Sequence, residues 1–337
     1  MAGTSDTPRV GASPFGDTLT ARVAERESQI VLGLDPDPGA LWPGVGNSSS
    51  AASAGRSSAG ADSSPAHLAA LAVEAHCRAL IDAVAPACVA VKPQLACFER
   101  LGAPGRSALD AVVRHAHDAG LLVIADGKRG DIDATALAYS QSLFGGVRTP
   151  FGEVAGLGAD MATVNPLMGA DAVAPFVTAA RAAGAGVLLL VRTSNPGAAD
   201  VEDLELAESA SGGLAGWGSV WERLAGLVDE LGLPGVGGCG LSDVGAVVGA
   251  TVPGHIARAR ELMPRAIFLL PGVGAQGGRV ENLQAAFVPG RAGGLITASR
   301  SIADAYRTGG TGGGGDPAAA ARAEAERLRG LAWALRA

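Results

Sequence analysis

Eight short apolar runs recur along the chain, bounded mainly by glycine, proline or aspartate. Their hydrophobic residues are continuous rather than alternating, as is typical of strands buried on both faces. Longer segments rich in Ala, Leu and Val separate them, and several of these end in glycine, which predicts helices. The predicted strands are residues 29–35, 88–93, 121–127, 161–166, 186–193, 244–251, 266–272 and 293–299. The predicted helices include residues 67–85, 107–120, 170–184, 221–232 and 317–335.

This alternation of strands and helices favours an α/β fold of the (β/α)8 TIM barrel type, as a single domain over residues 1–337. An open, doubly wound sheet is the alternative, because periodicity does not determine whether a sheet closes. Residues 46–66 are rich in Ser, Ala and Gly and predict a flexible insertion after the first strand. Residues 307–317 predict a Gly-rich loop before the C-terminal helix.

The composition narrows the class of protein. The chain has 337 residues, 48% of them hydrophobic, which is enough for a sizeable core, and its net charge of −7 argues against a general nucleic-acid or anionic-membrane binder. The four cysteines form no CxxC pair, which indicates reduced thiols. The N-terminus lacks the pattern of a signal peptide, and no run of about 18 apolar residues could span a membrane. We therefore expect a cytoplasmic protein.

Lys92 and Lys128 are the only lysines among the 26 basic residues of the chain. Arginine stays protonated at any usable pH, whereas lysine is a compact point charge that can release its proton. The two lysines therefore indicate a chemical role that a guanidinium group cannot fill.

Polar residues gather where the predicted strands end, which is the functional face of a parallel barrel. In ADGKRGD, Asp126 and Lys128 are two residues apart and should point to the same side of an extended strand, while Asp131 falls where the next helix would start. With Lys92 from the neighbouring strand, these residues predict an alternating network of acids and bases. A substrate carboxylate about 4 Å from such an aspartate would be destabilised by roughly 4 kcal/mol, and leaving as CO2 would relieve that repulsion.

The last two predicted strands lead into PGVGAQGG (271–278) and ITASRSI (296–302). Glycine-rich turns at this place in a barrel commonly bind phosphate through backbone N–H groups, and Arg300 can add a bidentate contact. The spacing of Gly272, Gly274 and Gly277 also resembles a dinucleotide-binding fingerprint. That alternative is weak, because the run comes late in the chain and no acidic residue ends a following strand.

These motifs resemble those of the orotidine 5'-phosphate decarboxylase family. DGKRGDIDAT (126–135) resembles the family's D-x-K-x-x-D-I-x-x-T signature, and GLDPDP, VKPQ, TSNPG, PGVGAQGG and TASRSI fall in the family's order. The match runs from residue 29 to about residue 305 and is most similar to the longer bacterial branch, often called type 2. The resemblance implies a (β/α)8 barrel that converts orotidine 5'-monophosphate to uridine 5'-monophosphate and CO2 in pyrimidine biosynthesis. It also implies that no metal and no organic cofactor takes part.

The resemblance further implies roles for single residues. Lys128 would protonate C6 of the pyrimidine, with Asp126 facing the departing carboxylate and Lys92 bonded to Asp126 and to the ribose. Asp131 and Thr135 would reach across a homodimer interface, so that each active site is composite. The remaining substrate contacts would be Asp35 at the ribose, Ser194 at the pyrimidine, and Gln276 and Arg300 at the phosphate.

Two other functions fit parts of the same pattern. Sugar-phosphate decarboxylases and aldolases of the same superfamily have a similar Asp-x-Lys-x-x-Asp core but use magnesium to hold an enediolate. Lys92 and the Gln276–Arg300 pair argue against this alternative. A non-catalytic sensor of a phosphoribosyl ligand is the second alternative, and the intact set of lysines and aspartates argues against it.

Overall fold

The computed structural model of the protein describes residues 13–45, 64–207, 218–274, 277–308 and 315–335. Its strands are β1 (Ile30–Leu34), β2 (Ala90–Pro93), β3 (Leu122–Arg129), β4 (Gly146–Thr149), β5 (Gly152–Ala155), β6 (Met161–Val164), β7 (Gly186–Arg192), β8 (Val244–Val248), β9 (Phe268–Leu270) and β10 (Gly294–Ala298). Eight of them pair in parallel and close into a barrel in the order β1-β2-β3-β6-β7-β8-β9-β10. Strands β4 and β5 form a separate antiparallel hairpin.

Helices alternate with the barrel strands. They are α1 (Phe15–Arg26), α2 (Pro65–Val84), α3 (Leu95–Glu99), α4 (Gly102–Asp118), α5 (Asp133–Leu143), α6 (Ala170–Ala183), α7 (Val220–Gly232), α8 (Pro253–Leu262), α9 (Arg300–Ala303), α10 (Ala305–Thr308) and α11 (Pro317–Ala334). Local chemistry fixes several of their ends: the Ser64 hydroxyl accepts the His67 N–H before α2, and Asp316 accepts the Ala318 N–H before α11. Gly184 caps the C-terminus of helix α6, and its φ of 70° lies in the left-handed region that favours glycine.

The hydrophobic core has two parts, because successive residues of a barrel strand face its interior and its outside in turn. The inner cluster contains Val31, Ile124 and Leu188, and the α1 residues Phe15 and Leu19 belong to it. The larger outer cluster joins residues of the strands to those of the surrounding helices. Since both faces of the strands are covered, the sequence shows continuous apolar runs instead of alternation.

The eight predicted strands and the five predicted helices form close to their predicted bounds, and the barrel is closed, so the open-sheet alternative is wrong. The pattern of apolar residues along the chain does not predict α1 or the β4–β5 hairpin. Helix α1 follows Pro14, which offers no capping side chain. The hairpin strands are exposed or half-buried, so they lack the buried face from which a strand is recognised.

Both predicted low-complexity segments lie partly outside the described residues. The predicted insertion at 46–66 lies outside the described residues as far as position 63, and its last residues cap and begin α2. In the predicted Gly-rich loop at 307–317, the first two residues complete α10 and Pro317 begins α11. Residues 309–314 between them lie outside the described part.

Among the described helices, none is both long enough and apolar enough to cross a membrane. The four cysteines, Cys77, Cys88, Cys97 and Cys239, are unpaired thiols as predicted. Burial raises the pKa of Cys88 to about 12, so that this thiol stays protonated and unreactive.

Candidate active site

The carboxyl end of β3 is distorted within the motif ADGKRGD. Between Ala125 and Arg129 its pairing with β6 shifts register. Lys128 has a φ of 47°, in the left-handed region that few residues other than glycine adopt. Such irregularities re-aim side chains near functional sites. Here Asp126 and Lys128 meet, as their spacing in the sequence predicts.

Asp126 lies between the two lysines of the chain. Its Oδ1 accepts a hydrogen bond from Lys128 Nζ at 2.7 Å, and its Oδ2 accepts one from Lys92 Nζ at 2.6 Å. The side chains of Asp126 and Lys92 are each 7% exposed, whereas that of Lys128 is 45% exposed. Lys128 therefore connects a buried carboxylate to the open mouth of the barrel.

Thr163 and Gln94 complete the hydrogen bonding of Asp126, although neither is among the residues expected from the sequence. The Thr163 hydroxyl donates to Oδ1 at 2.9 Å, and Gln94 Nε2 donates to Oδ2 at 3.3 Å. The sequence MATVN indicates that Thr163 faces the barrel interior, because Thr163 stands two residues after Met161, which faces the interior. Gln94 directly follows the VKP strand end that contains Lys92.

The charges around Asp126 favour its ionised form. Burial alone raises the pKa of this carboxyl, but the ammonium groups of Lys92 and Lys128 outweigh it and lower the pKa from its ordinary 3.8 to about 2. A carboxylate is therefore present at the barrel mouth throughout the neutral range.

A cavity of about 230 Å³ opens beside this network. It is lined by Asp35 and Lys92, and Lys92 Nζ lies 4.0 Å from Asp35 Oδ1. Its lining also includes Gly272 of the glycine-rich turn and the exposed Arg300. The structure thus joins the residues expected at the ribose to those expected at the phosphate. Gln276, also expected at the phosphate, lies outside the described residues.

Asp131 does not pair with either lysine within the described part of this chain. Its Oδ1 accepts the N–H of the adjacent Ile132 at 2.8 Å, and α5 begins only at Asp133. Asp131 is partly exposed and Thr135, in the first turn of α5, is exposed. One chain therefore brings together three of the four residues of the predicted network and presents the fourth on its surface.

Ser194 follows β7, the strand opposite β1 in the barrel order, and is not among the described residues that line this cavity. Its loop is braced by Arg192, which forms two hydrogen bonds of 2.8 Å to the carboxylate of Asp203. Gly249 lies directly against Ser194, since a Cβ at position 249 would come within 3.0 Å of Ser194 Cα. A larger residue at 249 would displace this loop.

The donor set at the mouth suits anions better than a cation. Within the described ranges, no three His, Cys, Asp or Glu side chains converge as metal ligands. Both oxygens of Asp126 already accept hydrogen bonds from ammonium groups. Divalent magnesium prefers oxygen ligands without such competing positive charges.

Residues 29–311 match the family model described as Orotidine 5'-phosphate decarboxylase / HUMPS family. A protein named orotidine 5'-phosphate decarboxylase from Deinococcus radiodurans is 45% identical to this chain over 224 residues, which cover 66% of this chain and 74% of that protein. A protein of the same name from Azoarcus sp. is 37% identical over 320 residues, covering 94% of this chain and 97% of the other. Among solved structures, Leishmania donovani OMP decarboxylase is 31% identical, with a TM-score of 0.64, and the match covers 95% of this chain and 99% of that one.

Proposed function

This chain belongs to the orotidine 5'-phosphate decarboxylase / HUMPS family, and we propose that it decarboxylates orotidine 5'-monophosphate to uridine 5'-monophosphate and CO2. The supporting observation is the placement of both lysines of the chain on one buried carboxylate, beside a cavity that extends to Arg300. The protein would thus be a carboxy-lyase of pyrimidine biosynthesis.

The proposed mechanism uses the two charges at Asp126 and Lys128. The ionised Asp126 repels the substrate carboxylate, and this repulsion disappears as CO2 leaves. The bond between C6 and the carboxylate breaks, and its electron pair remains on C6 of the pyrimidine. The ammonium group of Lys128 stabilises this developing charge and then transfers a proton from Nζ to C6. Solvent returns a proton to Lys128, so that no metal or organic cofactor is needed.

We propose that the residues that bind the substrate surround this catalytic centre. Asp35 and Lys92 contact the ribose, and Ser194 contacts the pyrimidine. Arg300 binds the phosphate together with Gln276. In support, the cavity that contains Asp35 and Lys92 extends to Arg300, whose planar guanidinium suits a phosphate group.

A magnesium-dependent sugar-phosphate enzyme is less compatible with this geometry. A metal-bound enediolate would need a carboxylate oxygen of Asp126 as a ligand, and both oxygens face ammonium groups. The left-handed backbone of Lys128 costs about 1–3 kcal/mol. A non-catalytic sensor would not need this conformation to bind its ligand.

The direct test is an ultraviolet assay of the purified protein on orotidine 5'-monophosphate with EDTA present. We expect loss of the substrate's absorbance and formation of uridine 5'-monophosphate. Turnover that EDTA abolishes and magnesium restores would favour the metal-dependent alternative. Tight substrate binding without any turnover would favour the sensor.

We also infer a homodimer in which Asp131 and Thr135 complete the partner's active site. Both residues lie on the surface at the start of α5, where Ile132 and Leu137 are exposed apolar side chains. Nearby, Phe151 at the turn of the β4–β5 hairpin is 98% exposed, and a groove of about 910 Å³ lies between α5, the hairpin and α6. Exposed apolar surface of this kind is typical of an interface between subunits.

Hybrid dimers test the composite site. Lys128→Arg and Asp131→Asn should each be inactive alone. After the two variants are mixed, unfolded and refolded together, half of the dimers are hybrids and one site of each hybrid is intact, so activity should recover to about a quarter of the wild-type value. Absence of any recovery would contradict a site shared between subunits.

The proposed place of action is the cytoplasm. Free thiols at all four cysteines are consistent with a reducing compartment. Fractionation of cells that produce the protein, with enzyme activity followed in each fraction, would test this location.

A further inference from the structure

The hydroxyl group of Thr163 bonds to both halves of the Asp126–Lys128 pair. Its Oγ1 accepts the backbone N–H of Lys128 at 2.9 Å and donates to Asp126 Oδ1 at 2.9 Å. Thr163 is 1% exposed, so solvent does not compete for these bonds. A hydroxyl has a single proton, and because Thr163 accepts the Lys128 N–H, its own proton is free for the carboxylate.

The first of these bonds fixes an unfavourable backbone conformation. The φ of 47° at Lys128 is unfavourable for a residue with a side chain and persists only where surrounding contacts enforce it. The register shift between β3 and β6 interrupts regular strand pairing in this segment. The N–H of Lys128 is directed at the Thr163 side chain, so this bond ties the distorted segment to β6.

The second bond fixes the orientation of the carboxylate. Asp126 Oδ1 receives hydrogen bonds from Thr163 and from Lys128 Nζ, while Oδ2 receives those from Lys92 and Gln94. Rotation of the carboxylate would break contacts on both oxygens at once. One oxygen therefore stays beside the ammonium group on the substrate side, and the other stays beside the buried Lys92.

We propose that Thr163 is a positioning residue, which holds the Lys128 backbone and the Asp126 carboxylate in the arrangement needed for proton transfer. This inference rests on the proposed decarboxylase function. Thr163 acts through Lys128 and Asp126 and does not itself contact the reacting atoms. Its loss should lower the rate of the chemical step more than the affinity for the substrate.

Thr163→Val tests this role, because valine has nearly the same shape but cannot hydrogen-bond. One lost bond is neutral and the other is to a charged group, so we expect kcat to fall about 10- to 100-fold. The KM for orotidine 5'-monophosphate and the affinity for uridine 5'-monophosphate should change by less than about threefold. Thr163→Ser keeps the hydroxyl and should restore most of the rate.

Thr20→Val is the matched control. Thr20 Oγ1 donates to the Gly16 carbonyl at 2.8 Å inside α1, at the opposite end of the barrel. This variant loses one threonine hydrogen bond as well but should keep the wild-type kcat and KM. A Thr163→Val enzyme with wild-type kcat would overturn the proposal, and so would a loss that Thr163→Ser does not restore.

A crystal structure of Thr163→Val separates this inference from the proposed function. We expect the Lys128 backbone to leave the left-handed region, or its Nζ to move beyond hydrogen-bond distance of Asp126, more than about 3.5 Å. An unchanged Lys128 and Asp126 would overturn the positioning role even if the wild-type protein is a decarboxylase. If the wild-type protein does not turn over orotidine 5'-monophosphate, the proposed function fails, and this structure still decides whether Thr163 positions the pair.

Discussion

Arg26 and Arg260 lie at the end of the barrel opposite to the two lysines, and they make a different kind of contact. At the N-terminal end, Arg26 donates to the carbonyls of Ala85, Ala119 and Gly120 in the connections that lead into β2 and β3. Arg260 likewise bonds to five carbonyls in the connections around β9 and β10, at distances of 2.7 to 3.4 Å. These guanidinium groups hold several backbone segments together at once.

At the C-terminal mouth, Lys92 and Lys128 each direct an ammonium group at Asp126. A guanidinium group has five donors in a rigid plane and keeps its proton, which suits the joining of loops. An ammonium group is a compact charge that can release a proton to a substrate. The difference gives a physical reason for the survival of two lysines in a chain that otherwise uses arginine.

The largest effect on stability and activity together is expected for Asp126→Asn. This change removes the nearest counter-charge of the buried Lys92 and leaves it only the more distant Asp35 Oδ1, 4.0 Å from Nζ. It should cost about 3 kcal/mol of unfolding free energy and should also abolish turnover. Urea unfolding and the ultraviolet assay measure the two effects.

The matched control is Asp243→Asn at the N-terminal end, where Asp243 accepts hydrogen bonds of 2.6 and 2.9 Å from Arg181. It should lose stability but keep the turnover rate of each folded molecule. Loss of turnover in Asp243→Asn would contradict the view that the N-terminal end of the barrel contributes to stability and only the C-terminal mouth contributes to turnover.

A second test is Arg260→Lys at the N-terminal end. Arg260 is buried, and its guanidinium also lies over the Phe268 ring, 3.8 Å from the ring centre. A lysine cannot reach all five carbonyls, so we expect a loss of about 2–3 kcal/mol of unfolding free energy with kcat unchanged. Wild-type stability for this variant would show that the arginine is replaceable there.

Arg300→Ala should weaken the binding of the substrate phosphate. A hydrogen bond to a charged group contributes about 1.5–3 kcal/mol, so we expect KM to rise about 10- to 150-fold with a smaller change in kcat. The affinity for uridine, which lacks the phosphate, should stay constant. An unchanged KM would exclude Arg300 from the phosphate site.

The smallest predicted effect is on acid stability. The pKa of Asp126 is about 2 in the folded protein, below its ordinary 3.8, so its contribution to stability is complete above pH 3.8 and is lost as the pH falls towards 2. The shift corresponds to about 2 kcal/mol. In acid-unfolding curves, Asp126→Asn should lack this component, and a curve parallel to that of the wild type would contradict the assigned pKa.

The sequence predicts the barrel well because its strands are buried on both faces and appear as continuous apolar runs. The convergence of Lys92, Asp126 and Lys128 is also predictable, since strand ends meet at one mouth. The left-handed backbone of Lys128 is not, because it depends on a register shift with β6. Its place on β6 indicates that Thr163 faces the barrel interior, but its hydrogen bonds are not predictable, because a threonine within an apolar strand has the same pattern as valine or isoleucine.

The most direct measurement is the turnover of orotidine 5'-monophosphate by Lys128→Arg beside the wild type, with uridine 5'-monophosphate affinity measured on both. Arginine keeps the positive charge next to Asp126 but cannot give up a proton. We predict a fall in kcat of about 10³-fold or more, with affinity for the product changed only a few-fold. Turnover near the wild-type rate would contradict the assignment of Lys128 as the proton donor.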